Sequence, residues 1–100
     1  MTQEEILEGE KLIGEFDGIT KDRYGRYYKK GVFKGNSEHD FIYHSDWNWL
    51  MSAVDKISKL HSIPELYANY SKVIDALMML DINILFKAVV EFIKWYNKNK

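Results

Sequence analysis

The sequence predicts an α+β domain: an N-terminal helix, a short antiparallel β-hairpin, then two or three packed helices. Two observations carry that expectation. Apolar residues recur at helical spacing near the start and through the whole second half. Between those regions, Gly18, Gly25, Gly31 and Gly35 punctuate a stretch rich in aromatic and β-branched residues.

The first helix is expected over Gln3 to Phe16, where Ile6, Ile13 and Phe16 share one stripe among Glu4, Glu5, Glu8, Glu10 and Glu15. Thr2 followed by Glu5 has the form of a capping box, and acids in the first turn suit the positive helix end. Gly9 and Gly14 each weaken such a helix by about 1 kcal/mol relative to alanine. Arg26–Phe33 and Phe41–His44 then read as the two strands, joined by a loop from Lys34 to Glu38. A lone hairpin is marginal in water, so it must pack on helices.

In the second half, Ser45 and Asp46 signal an N-cap. Trp47, Leu50, Met51, Val54, Ile57 and His61 follow down one face. Pro64 suits the first turn of the next helix, whose stripe is Leu66, Tyr70, Val73, Ile74, Leu77 and Leu80. Asp81 is read as the cap of a final helix with Leu85, Ala88, Val89, Phe92 and Tyr96 on its inner face. One long helix from Pro64 to Asn97, or a short strand over Ile82–Phe86, remains open.

Residues 1–100 fit a single domain, with an expected radius of gyration of about 13 Å. The charged residues, 29% of the chain, nearly cancel to a net −1, which argues against attraction of the whole surface to nucleic acid or anionic lipid. With no cysteine, disulfides, thiolate zinc sites and cysteine nucleophiles are excluded. The acidic start shows neither the charged nor the apolar region of a signal peptide, and no run is long enough for a membrane span.

Catalytic signals are lacking. His39 and His44 flank an expected strand and point to opposite faces, so a metal site needs His61 or a carboxylate from elsewhere. His44-Ser45-Asp46 holds the letters of a triad, but adjacent residues do not face one another in that geometry. Glu4 with Glu8, or Asp17 with Asp22, are carboxylate pairs that read as solvated faces. No glycine pattern matches a phosphate loop, and no cofactor is implied.

The segment from Lys21 to Lys34 stands out. Lys21, Arg23, Arg26, Lys29, Lys30 and Lys34 face a lone Asp22, with Tyr24, Tyr27, Tyr28 and Phe33 interleaved. Cations and rings together suit a protein interface or single-stranded nucleic acid; a solvated hairpin with its rings in the core is the plain alternative. The N-terminal segment is its acidic counterpart, either neutralising the hairpin or mimicking nucleic acid toward a basic partner. Trp47 and Trp49 lie about 200° apart on a helix, so both cannot face one core. Trp47 is expected on the apolar stripe, leaving Trp49 half exposed or packed on the hairpin. Trp95 is likewise set to one side of Phe92 and Tyr96.

Three blocks carry a resemblance. Tyr43-His44-Ser45-Asp46-Trp47-Asn48-Trp49-Leu50-Met51 continues to Val54, Lys56 and Ile57; the others are Ala88-Val89-Val90-Glu91-Phe92-Ile93-Lys94-Trp95-Tyr96-Asn97 and Leu12-Ile13-Gly14-Glu15-Phe16. In these the chain resembles small proteins of bacteriophages and prophages of Bacteroidota. Ser52 departs from the pattern, which often has proline there, and the basic segment lies outside it. The resemblance implies a mobile genetic element acting in the cytoplasm of a bacterial host; it supplies no catalytic residue and no ligand. The expected function is therefore a non-enzymatic accessory protein that binds a host protein, an antiviral defence nuclease such as a CRISPR effector being the type. Arg23, Arg26, Tyr27, Tyr28, Lys29, Lys30 and Trp49 are the expected contacts. An RNA- or single-strand-binding module using the same hairpin is the alternative.

Overall fold

Helix α1 (Gln3–Asp17) starts where its cap signal predicts. The Thr2 hydroxyl accepts from the Glu5 N–H, and the Glu5 carboxylate accepts from the Thr2 N–H, both at 3.1 Å, so the capping box closes. Gly18, at φ 93°, ends the helix in the left-handed region, where a Cβ is disfavoured. The computed structural model describes residues 1–60 and 64–99, with side chains throughout except those of residues 64–69.

The α+β class stands, but the strands differ from expectation. A three-stranded antiparallel sheet runs in the order β1 (Thr20–Lys21), β2 (Tyr27–Lys29), β3 (Val32–Gly35). The expected single strand Arg26–Phe33 is folded in two by a turn at Lys30-Gly31, with φ of 49° and 80°. Positive φ at both positions marks the tight hairpin turn that matches strand twist. Lysine is an unusual residue for the first of them, which is why the turn was hidden. Phe41–His44 is not a strand. Its Tyr43 and His44 N–H groups donate to the Glu10 carboxylate at 3.0 and 2.8 Å, so a side chain replaces the ladder partner. A single 3-10 turn, Glu38–Asp40, precedes it.

Asp46 caps α2 (Trp47–Ser58), accepting from the Trp49 N–H at 3.1 Å. The buried face is Leu50, Ala53, Val54 and Ile57, rotated toward Trp49 relative to the expected stripe. Trp47 is 40% exposed and Met51 lies outside the core, against the expected stripe, whereas Trp49 is half-buried against the hairpin's Lys34 as expected. The reason is tertiary: Trp49 has Phe41 and Tyr43 to pack against, with ring centroids 6.2 and 5.2 Å away.

Pro64 opens α3 (Pro64–Met78), and α4 (Ile82–Asn99) follows as a separate helix. Asp81 makes the break, accepting from the Asn83 N–H at 2.9 Å. Leu80 is not on the α3 stripe: it sits beyond the helix end at φ 57° and is 82% exposed. Leu66 and His61, expected on the α3 and α2 stripes, lie outside the described side chains. Helix α4 is central, touching α1, α2 and α3, and buries Leu85, Phe86, Val89, Val90, Phe92 and Ile93. Trp95 is half-buried, tilted against Phe92 at 5.9 Å. The radius of gyration is 13.3 Å, the size expected of one domain.

Gly9 fixes how closely α1 and α4 approach. A Cβ there meets Phe86 Cζ and Val90 Cγ2, both at 2.8 Å, and both belong to buried side chains. The helix propensity gained by Gly9→Ala, about 1 kcal/mol, is therefore outweighed by overpacking of about 1–3 kcal/mol. Urea unfolding followed by tryptophan fluorescence is expected to show Gly9→Ala less stable than wild type. A rise in the midpoint overturns this account of the glycine.

Candidate functional site

Strand alternation divides the basic stretch into two populations. Successive side chains on β2 point to opposite faces. Tyr27 and Lys29 go inward and Tyr28 outward, so neighbours that look alike in the sequence end in different surroundings.

On the inner face, Tyr27 packs edge-on against Phe41 at 5.1 Å. Its phenol is hydrogen-bonded to Glu38, which raises its pKa above the ordinary value. The Lys29 side chain is 19% exposed, and its ammonium is 2.9 Å from Asp17 Oδ1 and also bonds the Ser52 hydroxyl. Lys29 is thus an internal cation rather than the contact residue expected. Trp49 is half-buried beneath Lys34, whose ammonium lies 4.7 Å from the ring centroid.

Asp17 and Glu10 are the functional-looking acids that sequence reasoning missed. Asp17 also accepts from the Tyr43 phenol at 2.8 Å and from Ser52 at 2.9 Å. Burial, reinforced by the Asp17 charge, holds the Tyr43 phenol well above its usual pKa, so it stays the donor. Ser52 is a working member of this cluster. Glu10 accepts from the Tyr43 and His44 backbone and lies 2.6 Å from His44 Nδ1. The signal was present: Ile6, Glu10, Ile13 and Asp17 fall on one helical stripe. The assumption that acids face water concealed it.

These contacts also separate the triad letters. His44 Nδ1 is engaged by Glu10, whereas Asp46 caps α2. Among the described residues, no group of three or more His, Asp or Glu side chains is placed to hold a metal.

On the outer face the remaining side chains form one continuous strip. The turn from β1 to β2 is organised by Asp22, whose carboxylate accepts from the Tyr24 N–H, the Arg26 N–H and Arg26 Nε at 2.9, 2.8 and 2.9 Å. Desolvation opposes these bonds, but together they hold the Asp22 carboxyl below its ordinary pKa. The lone acid in the basic segment is therefore the turn's own scaffold.

That turn presents Tyr24, 67% exposed, with the Arg23 and Arg26 guanidiniums 4.8 and 5.0 Å from its ring centroid. Arg26 is also 5.8 Å from Tyr28, which meets Phe33 edge-on at 5.7 Å. Arg23, Tyr24, Arg26 and the half-buried Tyr28 thus alternate cation and ring along one surface that ends on Phe33, with Lys30 at the hairpin tip.

Compared with known proteins, the chain matches no family model, no curated protein and no solved structure at a significant level. No described helix is long and apolar enough to cross a membrane.

Proposed function

We propose that this chain is a non-enzymatic binding protein that uses the outer face of its sheet to occupy an acidic surface on a partner protein. The observation that carries this reading is the exposed strip from Arg23 to Phe33, where guanidiniums hold tyrosine rings in place. Arginine and tyrosine concentrate binding energy because they offer large contact areas and need little ordering once pre-packed. The resemblance to phage proteins favours a host partner in the bacterial cytoplasm. A defence nuclease such as a CRISPR effector suits the chemistry, since a metal-binding carboxylate cluster is an acidic surface.

The test is capture of host proteins on the tagged chain, with and without nuclease treatment. A single host protein is expected to be retained after nuclease. Arg23→Glu combined with Lys30→Glu is expected to weaken that binding by roughly 10–100-fold, as loss of steering and contact charges does. The urea midpoint is expected to stay put, because neither side chain makes an ion pair among the described residues. Lys29→Glu is not a clean probe, because it places a second acid against Asp17.

RNA is the second reading, favoured by the same alternation of cations and rings. It requires capture to be lost after nuclease treatment, and affinity for an oligonucleotide to fall steeply between low and moderate salt.

A further inference from the structure

The third strand is an open edge. The sheet order makes β3 terminal, and Lys29 pairs with Val32 across the two-residue turn. The pair that flanks such a turn exchanges its hydrogen bonds, so the next pair, Tyr28 with Phe33, is the non-hydrogen-bonded one. Tyr28 turns its backbone groups toward Thr20 of β1. By that register Phe33 turns its N–H and C=O away from the sheet, and no loop or side chain among the described residues bonds to them. Val32 and Phe33 are also more than half exposed.

Charge says what fits this edge. Lys30 and Lys34 bracket it in sequence, and neither makes an ion pair among the described residues. Arg26 stands on the outer face one strand away. The rings do not suit stacked bases: Tyr28 and Phe33 meet at 71°, edge to face, and so offer no parallel platforms.

We propose that β3 takes an extended acidic segment of the partner as a fourth strand, paired through the Phe33 backbone. This rests on reading the sheet as a protein-binding surface. Backbone pairing supplies register, while the alternate acidic side chains of the added strand, which share one face, lie on the Lys34 side of the sheet and the apolar ones lie beside Phe33 on the other.

The experiment titrates the full chain, labelled for amide NMR, with a synthetic octapeptide of alternating Glu and Val. The expected result is a shift of the Phe33 and Lys34 amides and slowed exchange of the Phe33 N–H. Phe33→Pro deletes that donor and is expected to weaken peptide binding by about tenfold relative to Phe33→Ala, which removes only the ring. If Phe33→Pro does not fold, exchange at the wild-type Phe33 N–H decides alone. Peptide binding with the Phe33 N–H still exchanging freely overturns strand addition and leaves the binding surface intact. A single-stranded oligonucleotide that binds where the peptide does not overturns both readings. Concentration-dependent protection of the Phe33 N–H without peptide shows a second copy on the edge and overturns the acidic occupant.

Discussion

Replacing Asp17 with alanine is expected to destabilise the protein by about 3–5 kcal/mol, the range for removing one partner of a buried ion pair. The side chain is 4% exposed and accepts from Lys29, Tyr43 and Ser52 at once. Its loss strands an ammonium with little water and a fully buried phenol. Against a total stability of roughly 5–15 kcal/mol for a domain of this kind, much of the folded population goes.

The control is Lys29→Met. It removes the cation but leaves Asp17 two hydroxyl donors, so its effect is expected to be smaller. The double variant Asp17→Ala, Lys29→Met is expected to recover part of the loss, because no buried charge is then left alone. Urea unfolding of the four proteins gives the coupling directly. Additive effects of the two single changes rule out the pair as the organising contact.

Glu10→Ala is expected to cost about 1–3 kcal/mol, since the buried Tyr43 N–H and the part-buried His44 N–H lose their shared acceptor. Phe41 and Tyr43 are core residues held by that anchor, so near-ultraviolet dichroism is expected to weaken before helix content falls.

Glu10 also carries a pH signature. Burial raises its carboxyl above the ordinary 4.5, against the lowering effect of bonds from His44 and Tyr43. A raised carboxyl binds its proton more readily folded than unfolded. Its contribution to stability is therefore greatest below pH 4.5 and falls as pH rises through the raised value. Compared with Glu10→Gln, which does not titrate, wild type is expected to lose ground between pH 4 and pH 7. A gain over that interval contradicts the burial assigned to Glu10.

Much of the architecture was legible because short-range signals decide it. The Thr2–Glu5 capping box, the Asp46 cap, Pro64 and Asp81 each act within one turn of chain, so reading neighbours suffices. The sheet was less legible. Lys30 at φ 49° turns where glycine or asparagine is the usual marker, and Phe41–His44 has strand-like residues whose backbone is claimed by Glu10.

The contact surface was half legible. Composition located the stretch of cations and rings, but which of them face outward depends on strand register and on what lies below. Arg23, Arg26, Tyr28 and Lys30 belong to the outer strip or its tip. Tyr27 and Trp49 pack beneath it, and Lys29 is drawn in by Asp17. Nothing within a few residues of Lys29 announces an acid twelve positions earlier in the chain.

By itself, then, the sequence determined the α+β class and the first two helices with their N-caps, and it favoured the break at Asp81, since these follow from contacts between residues close along the chain. Only the tertiary structure decided which acids are buried, which tryptophan packs on Phe41 and Tyr43, and which cations stay outside the ion pairs of the described residues. Those outcomes hinge on desolvation and on partners brought from distant segments; the stripe of Ile6, Glu10, Ile13 and Asp17 marks a face but not what covers it.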